Sequence, residues 1–327
     1  MTIQRRQLML AAGTAALGGY VPLAAAQTVV DNLRILAGFP PGGTVDLVVR
    51  LVGDRLRGTF ARNVVVENRA GAGGRIAAEE LRRSAADGTT MLGTPSSVIT
   101  LQPHVVRGLP YGPGDFAPVS MAARLEIGLA VGPAVPAAVR DLRGFLDWAR
   151  ANPALANYGS PGNGTAPHLI GALLARESGV DLRHVPFRGA AAAIPALLGG
   201  QISAYSSPLT DLVAHVGEGR LRILATSGPT RSRFAPDVPT YVEQGLPSIV
   251  FTDWSGFFMP KGTPVATVNA AAQAVRQALS HGEVVDRLAQ MALVAAPSSP
   301  AELADAVRLA HAAWGPIVAR VGFTPES

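Results

Sequence analysis

Short β-rich runs alternate with longer stretches of three- and four-residue apolar spacing, and this alternation constrains the 327-residue chain more than any other feature. "LRILA" (33–37) precedes a stretch whose apolar positions, Val45, Val48, Val49, Val52 and Leu56, share one face of a helix. "VVVE" (64–67) reads as the next strand and "GRIAAEELRRSAA" (74–86) as the next helix. The Asp87-Gly88 turn closes that helix before the strand "TMLGT" (90–94). Strands and helices joined by loops this short imply parallel βαβ units and an α/β sheet.

A Gly/Pro-rich break, "LPYGPGDFAPVS" (109–120), leads into the apolar strand "EIGLAVGP" (126–133). Alternation then restarts: helix 141–151, strand 157–160, helix from Thr165, strand 184–187, helix 191–198, strand 202–206 and strand 221–227. A Pro- and Arg-rich loop reaches "IVFTDWSGFFMP" (249–260), and 264–321 is mostly helical. This pattern predicts two Rossmann-like α/β lobes, 27–124 with 254–327 and 125–253. The chain crosses between them near 122–126 and 251–255, which makes a two-crossing hinge with a cleft, a common place for small-ligand sites. Aromatic residues are only 6%, so the cores must be mostly aliphatic.

Residue usage removes several chemistries. Cysteine is absent and lysine occurs once, at Lys261 in "MPKGTP". Thiolate catalysis, disulfides and a P-loop lysine are thereby excluded. "GAGGRI" (71–76) and "GNGTAP" (162–167) each lack the last glycine of a dinucleotide fingerprint. Ser160 lacks the glycine two places earlier that a nucleophile elbow requires. The six histidines show no metal-ligand spacing, and no carboxylate pair stands out as an acid/base couple. We expect no cofactor, no metal and no enzyme activity. The formal charge of +5 falls to +3 without Arg5 and Arg6, and the remaining arginines are scattered, so nucleic acid is not an expected partner.

Arg5-Arg6, the apolar stretch 8–23 and Ala24–Ala26 before Gln27 read as an export signal over 1–26. The arginine pair fits the twin-arginine pattern in part; an ordinary secretory signal stays open. No later stretch is long enough to insert stably in a membrane.

Two loops could carry binding. In "GFPPGGTVD" (38–46), Gly42 and Gly43 free the backbone, and Thr44 is a candidate N-cap for the helix that follows. The orphan N–H groups there make an anion site, although a tight turn explains the loop equally well. Asp46 competes for the helix dipole and argues against a phosphate. "YGSPGNGTAPHL" (158–169) repeats the arrangement in the other lobe, with Gly162, Gly164 and Thr165. Both loops follow strands, at the sheet edge where open α/β folds bind ligands, so a ligand gripped from two sides is the expectation. His168 reads as a packing residue. The chain offers grip without evident chemistry.

The ordered set "LRILAGFPPGGTVDLVVRLVGDRL", "VVVENRAGAGGRIAAEEL", "DGTTMLGTP", "NYGSPGNGTAPHL", "HVPFRGAAAAIPALLGGQISA", "GRLRILATSGPTRSRFAPDVPTYVEQGL" and "DWSGFFMPKGTP" resembles the Bug family, the periplasmic solute-binding receptors of tripartite tricarboxylate transporters. The resemblance implies the type II periplasmic binding protein fold. It also implies a periplasmic monomer that closes on a small carboxylate and hands it to membrane permease subunits. It assigns a partly water-mediated carboxylate clasp to Phe39, Pro40, Gly42, Gly43 and Thr44. The second lobe's share falls on Ser160, Gly162, Gly164, Thr165 and His168, with Phe187, Arg188 and Gly189 at the "PFRG" strand end. Ser96 and Ser97 are further cleft candidates. Phe187 stands where the family often has tyrosine, which implies a less polar ligand face. Asp253 is a hinge residue or a specificity group, with the hinge favoured. A signalling receptor would carry the same sequence.

Overall fold

The computed structural model describes residues 30–217 and 219–323. The expected export signal, 1–26, lies outside them. In chain order the elements begin β1 (Val30–Ala37), α1 (Thr44–Leu56), β2 (Ala61–Asn68), α2 (Arg75–Arg83), β3 (Thr90–Pro95), α3 (Ser96–Thr100), α4 (Gln102–Val105) and β4 (Phe116–Val131). They continue with α5 (Leu142–Ala151), β5 (Asn157–Ser160), α6 (Ala166–Ser178), β6 (Arg183–Pro186), α7 (Ala190–Leu198), β7 (Ala204–Pro208) and α8 (Leu209–Val216). Last come β8 (Arg222–Thr226), β9 (Thr252–Pro260), α9 (Val265–Ser280), α10 (Gly282–Gln290), β10 (Val294–Ala295) and α11 (Pro300–Val321).

The apolar stripe of α1 lies on the first sheet as its spacing predicts. Val48, Val49, Val52 and Leu56 join Leu33, Ile35, Val64 and Met91 in one core. Each such buried side chain contributes about 1.5–3 kcal/mol of transfer free energy. Gly93 allows this close approach, since a Cβ there would collide with Val49 Cγ2.

The strand order is β2-β1-β3-β9-β4-β7-β5-β6, with β8 and β10 also paired to β4. Both outer portions are parallel, as expected: β1 with β2 and β3, and β5 with β6 and β7. The middle is not. β9 runs antiparallel to β3 and β4, and β4 runs antiparallel to β7 and β8. The sheet is therefore mixed, because β4 and β9 connect the lobes directly and are not joined by crossover helices.

β4 is the main crossing. Phe116–Glu126 pairs with β9, and Ile127–Val131 continues into the second lobe against β7 and β8. Ser227 ties the two crossings together: its Oγ donates to Phe251 O and accepts from the Ile127 amide. The sequence places the start of this strand ten residues late. Pro118, which cannot donate to a ladder, is accommodated by a register shift between Pro118 and Ser120.

Candidate functional site

The loop after β1 is pinned by its own helix. Asp46 accepts from the Gly42 amide at 2.9 Å, from Asn68 Nδ2 at 2.8 Å and from Arg50 Nε at 3.0 Å. Burial alone would raise its pKa, but these partners outweigh it and hold the carboxyl below its ordinary range. The Gly42 amide is therefore already used, and Gly42 turns the loop at φ +83° toward a side groove. The N-cap is Gly43, in extended backbone, and not Thr44. Thr44 is the first helical residue, and its Oγ1 donates across the cleft to Asp211 Oδ1 at 3.1 Å. Among the described residues, the amides of Gly43, Thr44 and Val45 have no protein partner.

The second loop is built differently from the expected mirror image. The Gly162 amide points to Ser160 Oγ at 3.4 Å, and the Gly164 amide donates to His168 Nδ1 at 3.2 Å. Pro167, in the first turn of α6, has no N–H at all. Behind the loop, His168 stacks on His184 with ring centroids 3.7 Å apart, and Ser160 Oγ lies 2.8 Å from His184 Nε2. Burial pushes His168 down to about 4 and His184 to about 3, so both rings are neutral at physiological pH. Ser160, Gly164 and His168 thus shape the loop from behind and do not line the cleft. The second loop meets the cleft through Thr165 and Pro167, and its Gly162 and Gly164 amides are turned to Ser160 and His168 within the loop.

The cleft is narrow, a cavity of about 70 Å³ open at its mouth. Of the residues expected from the sequence, Phe39, Pro40, Gly43, Thr44, Ser97, Thr165, Gly189 and Asp253 line it. Gly162, Phe187 and Arg188 stand instead at an outer mouth, facing the loop 70–76. Phe187 packs over Gly159, so it does not set the polarity of the inner cleft. Ser96 lies one layer back, donating from Oγ to Asp253 Oδ1 at 2.6 Å.

Sequence reasoning missed Asp211, Ser255 and most of the apolar wall. Pro40, Pro41, Pro95, Pro161, Pro167 and Pro208 all line the cleft. A signal was present: a proline stands at or just beyond the carboxyl end of β1, β3, β5 and β7, where the sheet edge meets the ligand space. Asp211 sits on α8, too short for periodicity to reveal.

No arginine, lysine or histidine among the described residues lines this inner cleft, whereas two aspartates do. Asp253 is 3% exposed; Oδ1 accepts from Ser96 and from the Trp254 amide at 2.7 Å. Burial raises it from the ordinary 3.8 to about 6, against the pull of those two hydrogen bonds. The native protein therefore binds more protons than the unfolded chain between those values. Stability falls as pH rises through that window, and the loss is complete above it. Asp253→Asn keeps the acceptor for both donors. It is expected to stabilise the ligand-free protein by roughly 2–3 kcal/mol at about pH 8, an advantage that vanishes below about pH 4. Denaturant melts at the two pH values check this, and equal stability at the higher one contradicts it.

The lobes meet at several points, among them an apolar cluster that joins Leu101, Val105, Trp314 and Val318 to Ala166 and Leu169. Besides Thr44 with Asp211, a Cβ on Gly189 would meet Pro40 Cδ at 3.3 Å, and one on Gly73 would meet Asn163 O at 2.8 Å. The loop 70–74 stands where the two lobes meet at the outer mouth. Gln102 holds it by donating from Nε2 to Gly73 O at 2.8 Å.

Known proteins share this fold. BugT of Bordetella pertussis is 28% identical over 98% of this chain and 99% of its own length. MatC from Rhodopseudomonas palustris, solved with bound malate, superposes with a TM-score of 0.82 at 28% identity, covering 88% of this chain and 99% of its own. R. palustris Rpa4515, solved with adipate, gives 0.85 at 27% identity over 90% and 98%. No helix among the described residues is long and apolar enough to cross a membrane. Residues 48–323 match the profile of the tripartite tricarboxylate transporter family receptors, and with the two-lobed periplasmic binding protein fold around this cleft, the chain belongs to that family, the Bug proteins.

Proposed function

We propose that this protein is exported to the periplasm, closes as a monomer on a small carboxylate without transforming it, and delivers it to the permease of a tripartite tricarboxylate transporter. One observation carries the reading. The partnerless amides of Gly43, Thr44 and Val45 open, at the N-terminus of a 13-residue helix, into an apolar cleft between two lobes. Such a terminus holds a carboxylate with neutral donors and the helix dipole, so no buried arginine is required. The bound malate of MatC and adipate of Rpa4515 are ligands of this chemistry. Arg188, exposed at the outer mouth, draws anions toward the cleft. The moving units are 27–124 with 254–327 and 125–253, hinged where Ser227 joins the two crossings. Removal of the 1–26 signal would leave a mature N-terminus near Gln27, readable by mass spectrometry.

A thermal-shift screen over mono-, di- and aromatic carboxylates tests the proposal, because a ligand that binds only the native state raises the midpoint with concentration. Small-angle scattering with the best hit should show compaction. Turnover of the bound carboxylate, or no stabilisation by any of the three classes, contradicts it.

A further inference from the structure

Asp211 and Asp253 enter the cleft from α8 and β9, and no basic side chain among the described residues lines it. Asp253 uses only Oδ1 within the protein, for Ser96 and the Trp254 amide; Oδ2 has no protein partner although the residue is almost wholly buried. Next to it, Ser255 also lines the cleft at 4% exposure, and its hydroxyl has no partner. Asp211 is bound by hydroxyls, Thr44 on Oδ1 and Ser207 on Oδ2. His215, one turn further along α8, lines the neighbouring groove and not this cleft.

An anionic oxygen removed from water requires a cation or dedicated donors. A dicarboxylate would add two negative charges to a cleft that already carries two aspartates. An ammonium group brings three donors and the opposite charge. On the strength of the carboxylate reading, we propose that the physiological ligand carries a cationic amine beside its carboxylate and enters as a zwitterion. Its carboxylate lies on the α1 amides. Its ammonium lies on the acidic side of the cleft, donating to Asp253 Oδ2, the oxygen that Ser96 and the Trp254 amide leave free, with Asp211 the second carboxyl in that lining. Asp253 is then a specificity residue as well as part of the crossing strand.

Calorimetry on the full-length mature protein with four ligands of one chain length tests this: pentanoate, pentanedioate, 2-aminopentanoate and 5-aminopentanoate. One amino acid should bind at least about tenfold tighter than both acids without nitrogen. Asp253→Asn should erase that preference, the amino acid then binding no tighter than pentanoate, with Asp211→Asn reducing it in parallel. Tightest binding by pentanedioate, or a preference for the amine that survives both substitutions, overturns the proposal and leaves the carboxylate reading standing. Binding by none of the four overturns both.

Discussion

Gly43→Val is expected to weaken carboxylate binding by about 100-fold or more, some 2.7 kcal/mol, while the ligand-free protein unfolds at its normal midpoint. Gly43 sits at φ −80° and ψ 168°, an extended conformation that valine adopts freely. A Cβ there meets nothing closer than Pro40 O at 3.7 Å, so the fold loses no contact. The side chain grows into the space in front of the three partnerless amides, where the carboxylate must sit. Titration calorimetry with the best carboxylate, beside a denaturant melt, separates the effects. Near-normal affinity would place the anion elsewhere.

Gly73→Ala should weaken binding by about ten- to a hundredfold through a different cause, loss of closure. At φ +62° an alanine costs about 1–2 kcal/mol, but it does so whether the lobes are apart or together. The selective cost arises only in the closed arrangement, where the new Cβ lies 2.8 Å from Asn163 O. That atom is backbone of the opposite lobe and can yield only if the lobes part. Scattering profiles of the ligand-saturated variant should stay closer to the ligand-free profile than those of the parent protein. Full compaction with unchanged affinity would show that the 70–74 loop is not a jaw.

Much of this architecture was legible because it is written in periodicity. The α1 stripe, the strands ending at Ala37 and Ser160, the strand 90–94 found one residue longer, and the glycine turn before Thr44 all follow from local spacing. What escaped was set by tertiary partners. Asp46 looked like a competitor for the anion, yet by taking the Gly42 amide it fixes the loop and leaves the next three amides for a ligand. The resemblance alone places His168 in the clasp; its stacking on His184 fits the packing role read from the residues. Thr44 resembles a cap by type, and only the approach of the second lobe gives its hydroxyl to Asp211. The antiparallel core, with β4 crossing both lobes, depends on which distant strand arrives beside it, and no local pattern encodes that.

The most direct test is a high-resolution structure of the protein with a bound carboxylate. The account predicts the ligand's carboxylate oxygens within hydrogen-bond reach of the Gly43, Thr44 or Val45 amides, directly or through one water, with no arginine or lysine touching them. A carboxylate paired instead with Arg188 at the outer mouth, and the α1 amides facing bulk water, would contradict it.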